Sequence, residues 1–150
     1  MAGRHIVCFG NDLHGDDGFG SRVYDQLCLL SWPGDVEVFN AGIAGLNALR
    51  FLEDCSQAIL VDALAGFGNV GEICMLRAED LAAKPQQLCG HGQGLPYLLE
   101  AIKVIREPLP DILIVGVEIV DVNPFSFGLS DKTEQAVPKT VQLIRGLLSE

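Results

Sequence analysis

The chain has 150 residues, 49% of them hydrophobic and 20% charged, and carries a net charge of −10. That length and balance suit one globular domain with its own core. The acid excess argues against nucleic acid and an anionic membrane surface as partners, because both would repel it, and leaves a metal cation or a basic peptide open.

In chain order, the start MAGRHIVCFGND has too short an apolar run for a signal peptide and meets Asn11 and Asp12 at once. No stretch approaches the roughly 20 apolar residues of a membrane span. A cytoplasmic protein is expected. The run Ile6-Val7-Cys8-Phe9 is wholly apolar and ends at Gly10, which predicts a central strand. After the loop GNDLHGDDGFG, Val23, Leu27 and Leu30 recur at helical spacing, and Trp32-Pro33-Gly34 stops that helix. Val36 and Val38 alternate with charge in DVEVFN, a second strand. A shorter helix is predicted over about residues 46–53. Ala58-Ile59-Leu60-Val61 is a third strand ending at Asp62, and residues 72–76 form a fourth. The polar loop KPQQLCGHGQG (84–94) precedes a helical stripe of Leu95, Leu98, Leu99, Ile102 and Ile105. Residues 112–117 give a fifth strand. Val137, Val141, Ile144 and Leu148 mark a last helix with Ser130 as its N-cap, and Pro138 lies near its first turn or kinks it.

Alternating strands and helices with continuous apolar strands indicate the α/β class. The expected form is a three-layer sandwich: a mostly parallel, twisted sheet of about five strands covered by helices on both faces. Residues 1–150 form a single domain without repeats or linkers. In such sheets ligands bind beyond the carboxyl ends of the strands. The loop 10–20 leaves the carboxyl end of strand one, and Asp62 sits at that of strand three. Parallel strands would set their acids on one rim.

No H-E-x-x-H, G-x-S-x-G or G-x-x-x-x-G-K-[ST] occurs. One G-x-G-x-x-G, at Gly66, Gly68 and Gly71, runs into a strand and not a helix, so it reads as a glycine-rich connection without a pyrophosphate site. Asp16 and Asp17 precede the first helix, where acids commonly cap or stabilise the helix dipole. Asp62 alone reads as an aspartate bonding loop amides, and His91 alone as an exposed loop histidine. Taken together, carboxylate, carboxylate and imidazole form a mixed O,O,N set that suits Zn, Ni, Fe or Mn without selecting among them. A competing reading pairs Cys89 as nucleophile with His91 as base, but no orienting acid or asparagine is evident. His5 and His14 read as strand edge and loop surface. Glu118 and Asp121 read as solvated or loop-bonding, with a supporting role behind the ligands as the alternative. The five cysteines, with no C-x-x-C pair, read as free thiols, several of them in the core.

Four segments together resemble the hydrogenase maturation endopeptidases, which trim the C-terminus of the nickel–iron hydrogenase large subunit. GNDLHGDDGFG (10–20) is similar to the family's G-N-x-L-x-x-D-[DE]-x-x-G signature, and ILVDA (59–63) to its apolar strand ending in D-A. His91 before Gln93-Gly94-Leu95 resembles its histidine segment, and Gly116-Val117-Glu118 with Pro124, Gly128, Leu129 and Ser130 its C-terminal part. The resemblance implies a twisted sheet between helices and an endopeptidase acting as a monomer on a hydrogenase large-subunit precursor. It implies metal ligation by Asp17, Asp62 and His91, with Asp16 beside them as a candidate proton-transfer group. The metal implied is the nickel already seated in the precursor, with another divalent ion as a surrogate in vitro. A non-cleaving checkpoint or chaperone for the same precursor is the alternative. One departure stands out. Where the family has a D-G-G-T-x-G type segment, this chain has Asn40-Ala41-Gly42-Ile43-Ala44-Gly45, so Asn40 supplies neither negative charge nor a base.

Overall fold

The apolar runs become the strands β1 (Gly3–Phe9), β2 (Val36–Gly42), β3 (Cys55–Leu64), β4 (Ile73–Arg77) and β5 (Asp111–Glu118), which form one sheet ordered β2-β1-β3-β5-β4. The computed structural model describes residues 3–82, 94–105, 108–119, 125 and 127–149. Residues 84–93 of the polar loop, with Cys89 and His91, lie outside them, as do Asp121 and Pro124.

The strands read as unbroken apolar runs because both faces of the sheet are covered. Ile6 and Cys8 of β1, Ile59, Val61 and Ala63 of β3, and Val115 and Val117 of β5 share one core. Helices α1 (Phe19–Leu27) and α4 (Asp131–Leu148) close it with Val23, Leu27, Val137, Val141 and Ile144. The alternate residues Val7, Phe9, Ala58, Leu60, Ile112 and Ile114 form the second core. Helix α3 (Gly94–Ile105) and a 3-10 helix (Gly45–Phe51) close that face through Leu95, Leu98, Leu99, Ile102, Ala48 and Leu52. The expected three layers are present.

β1, β2, β3 and β5 run parallel, and β4 lies antiparallel on β5 at the edge. The short glycine-rich connection after β3 returns the chain at the same end of the sheet, so β4 has to run the other way. β3 does not stop at Asp62. It gains two further rungs, Ala63 against Val117 and Leu64 against Glu118, because β5 continues alongside. The segment predicted as a helix over 46–53 winds as a 3-10 helix over Gly45–Phe51. Gly45 and Asn47 give it weak α propensity, and tight short turns are where 3-10 geometry is found. Helix α1 ends at Leu27, where the Trp32 indole N–H donates to the Leu27 carbonyl at 2.9 Å. A five-residue helix, α2 (Ala78–Ala82), is too short to show periodicity and was not predicted. Its start is marked by Arg77 N–H donating to Asp80 Oδ2 at 2.9 Å. Pro138 lies inside α4, which runs on past it. His5 is not at an exposed edge. It is buried in a strand paired on both sides, with Nδ1 2.7 Å from the Phe51 carbonyl oxygen and its ring edge-on to Phe39. Among the described residues no helix is long and apolar enough to cross a membrane.

Candidate active site at the carboxyl edge of the sheet

The loop leaving β1 is held by its own backbone. Gly10 N–H donates to the Gly42 carbonyl at 3.1 Å, Asn11 N–H to the Asp17 carbonyl at 3.0 Å and Asp17 N–H to the His14 carbonyl at 3.0 Å. Two glycines permit this closeness. A Cβ on Gly10 would lie 2.7 Å from the Asp17 carbonyl oxygen, and one on Gly20 would fall onto the carbonyl of Phe9. The loop therefore folds back over the end of its own strand, which any side chain at either position would prevent.

Asp16 and Asp17 sit in a 3-10 turn (Gly15–Gly18) that packs against β3 and α1. With three residues per turn, consecutive side chains point about 120° apart. The two acids accordingly separate. Asp17 is fully buried, at 0% exposure. Asp16 turns to the far end of the chain and accepts two hydrogen bonds from Ser130, at 2.6 Å from N–H to Oδ1 and 2.8 Å from the hydroxyl to Oδ2. Asp16 thus caps α4, the last helix, while α1 begins at Phe19 with Gly18 at its N-cap position and no side-chain cap. Ser130 stands at the N-cap of α4 as expected, but its hydroxyl bonds Asp16 in place of its own helix amides.

Asp62 is 3% exposed and accepts Ala63 N–H at Oδ1, 2.8 Å away. It pairs with Gly116 of β5 and, by strand alternation, shares the face of Ala58 and Leu60, the one α3 covers. Burial, followed by nearby negative charge that includes Asp62, pushes the Cys8 thiol far above the usual thiol range. Cys8 is accordingly a small core residue and not a nucleophile. Glu118 is buried too and bonds loop amides. Its carboxylate accepts Gly66 N–H at 2.6 Å and Phe67 N–H at 2.9 Å, fixing the glycine-rich connection to the end of β5.

Asn40, at the departure from the family pattern, is exposed and accepts Gly42 N–H at 3.0 Å. Gly42 takes φ of +58° and gives its carbonyl to Gly10. The amide at Asn40 therefore shapes the turn on which the acidic loop rests. Among the described residues no three His, Cys, Asp or Glu side chains form a cluster able to hold a metal. His91 is outside them.

A sequence profile of the hydrogenase maturation protease family matches residues 22–146. The chain is 32% identical to a protein named as a hydrogenase maturation protease in Methanocaldococcus jannaschii, over 94% of this chain and 93% of the other. The chain belongs to the hydrogenase maturation protease family. It is 27% identical to the Hydrogenase 3 maturation protease of Escherichia coli, over 94% of this chain and 88% of that protein. The hydrogenase 2 maturation peptidase from a Thaumarchaeota archaeon superposes with a TM-score of 0.71 at 31% identity, covering 98% of both chains. The hydrogenase maturating endopeptidase HybD from E. coli superposes with a TM-score of 0.85 at 24% identity, over 97% of this chain and 91% of HybD, which shows a shared fold.

For a hydrogenase maturation protease, one role went unread in the residues. Ser130 reads locally as an N-cap, and nothing near it announces a partner 114 residues away. Glu118 follows the loop-bonding reading and not the solvated one: it closes an apolar strand beside a glycine-rich connection whose amides need acceptors.

Proposed function

We propose that this chain is a cytoplasmic endopeptidase that removes a C-terminal peptide from a nickel-loaded hydrogenase large-subunit precursor. Family membership supports the protease activity. The observation that carries the site is the burial of two carboxylates, Asp17 at 0% and Asp62 at 3% exposure, at the carboxyl edge of a parallel sheet. Carboxylate oxygens from two separate segments held at one edge are donors suited to a cation.

In this reading Asp17, Asp62 and His91 hold the nickel that the precursor brings with it. His91 precedes Gly94, the first residue of α3, by three residues, a tether of at most about 10 Å. When bound there, the metal supplies Lewis acidity toward the scissile carbonyl or a water. The chain's own residues then bind and orient: Asp17 from the turn after β1, Asp62 from β3, and the Gly10–Gly42 contact keeping the loop seated. Asp16, with both oxygens on Ser130, is assigned to positioning and not to proton transfer.

Incubation of purified protein with nickel-loaded and nickel-free precursor, read by intact mass, tests this. Loss of a C-terminal peptide from loaded precursor only, abolished by Asp62→Ala, is expected. Equal cleavage of nickel-free precursor removes the gating by metal. Stable co-elution without mass loss favours a non-cleaving checkpoint. Activity lost in Cys89→Ala but kept in Asp62→Ala would show thiol chemistry instead.

A further inference from the structure

The geometry points to Ser130 as a positioning residue that acts through Asp16 to fix the turn carrying Asp17; as a claim about catalysis, this rests on the endopeptidase reading. Three observations meet at this pair. First, the contact is doubled: backbone N–H and hydroxyl of one serine reach the two oxygens of one carboxylate, at 2.6 and 2.8 Å. Charge-assisted bonds of this kind are roughly twice as strong as neutral ones. Second, the anchor is rigid. Ser130 opens the 18-residue helix α4, whose Val137, Val141 and Ile144 lie in the core, and its Oγ lies 3.2 Å from Oγ1 of the fully buried Thr133. The first turn of a helix also favours a negative group. Third, the neighbour of the anchored residue is the buried Asp17, in a turn of four residues (Gly15–Gly18) that leaves little slack between the two side chains.

A second tie joins the same two segments. Arg22 of α1 bonds Glu134 in the first turn of α4, with Nη1 to Oε1 at 3.1 Å and Nη2 to Oε2 at 2.6 Å. That pair is about half exposed and holds α1 to α4 through residues outside the turn. The fold can thus keep the helices docked when the Asp16–Ser130 contact is removed, and the effect of losing the contact falls on the turn. Orientation of a reacting group is sensitive to displacements of about 1 Å.

The test compares Ser130→Ala, Ser130→Thr and Asp16→Ala with wild type in two readouts. One is kcat and KM on nickel-loaded precursor. The other is hydrogen exchange of the amides of Asn11 and Asp17, whose partners lie within the loop. Ser130→Ala is expected to lower kcat about tenfold, with KM within about twofold, and to speed exchange in the loop while leaving the strands unchanged. Ser130→Thr, which keeps the hydroxyl and the N–H, restores both. The double variant Ser130→Ala with Asp16→Ala is expected to be no slower than Asp16→Ala alone, because one contact is removed twice. Wild-type kcat in both Ser130→Ala and Asp16→Ala, a rise confined to KM, or additive losses overturn the inference. If the wild-type protein cleaves no precursor, the endopeptidase reading falls by itself. Exchange then decides the latch: faster loop exchange in Ser130→Ala, reversed in Ser130→Thr, upholds it, and unchanged exchange overturns it.

Discussion

Gly116→Ala perturbs the central strand pair at the rung that carries Asp62. Gly116 is buried in β5 opposite Asp62 of β3. A Cβ there would stand 2.6 Å from the Asp62 carbonyl oxygen and 2.6 Å from both Cγ and Cδ1 of Leu64. Real Cβ contacts do not fall below 3.0 Å, so the strands must open or Leu64 must move. Leu64 is fully buried, which denies it an easy alternative rotamer, and the other obstacle is backbone. Overpacking of this kind costs about 1–3 kcal/mol, and two immovable obstacles put Gly116→Ala near the upper figure. For a domain of this size that is a fall in Tm of roughly 6–12 °C. Urea unfolding and thermal melts measure it directly. Because the contact displaces the Asp62 backbone, cleavage should fall further than the loss of folded protein explains. A Gly116→Ala protein within about 0.5 kcal/mol of wild type would refute the reasoning, since it would mean the strand pair yields freely at this rung.

The same substitution at Gly146 has the opposite sign. Gly146 lies inside α4 with nothing within 4 Å of its Cβ position, so Gly146→Ala is expected to raise stability by about 0.5–1 kcal/mol in urea unfolding. Glu118→Gln should destabilise by about 1–2 kcal/mol, because glutamine presents one oxygen and one donor to two amides that both donate; a change below about 0.5 kcal/mol counts against the anchor. The Arg4 guanidinium bonded to Asp35 at 2.8 and 3.0 Å holds that carboxyl below its ordinary range. Its folded pKa is depressed, so its contribution is present above the unfolded pKa and lost as pH falls through the folded one. The gap in urea midpoint between wild type and Asp35→Asn should therefore narrow as pH drops below about 4.

The strands were legible because burial on both faces leaves little room for polar residues, as in Ile6-Val7-Cys8-Phe9 and Ala58-Ile59-Leu60-Val61. The helices α1, α3 and α4 were legible from one apolar stripe each. Features set by distant contacts were not. His5 is buried because a carbonyl 46 residues away accepts it, and Asp16 caps a helix 114 residues away. β3 outruns its apolar stretch because β5 continues beside it. For the site, residue type and placement singled out Asp62 and one of Asp16 and Asp17 as acids on one edge; the choice of Asp17 came with the family resemblance, and Asp17 and Asp62 are both buried. What distinguishes Asp16 from Asp17 is the phase of a 3-10 turn, which two identical neighbours cannot reveal in sequence.

Convergence of Asp17, Asp62 and His91 on one cation is most directly tested by a crystal structure of the protein soaked in nickel or cadmium, with the ion located by its anomalous signal. One ion with oxygen ligands from Asp17 and Asp62 at about 2.0–2.4 Å and a nitrogen ligand from His91 is the predicted result. An ion bound elsewhere, with the His91 imidazole turned away from both carboxylates, would contradict it.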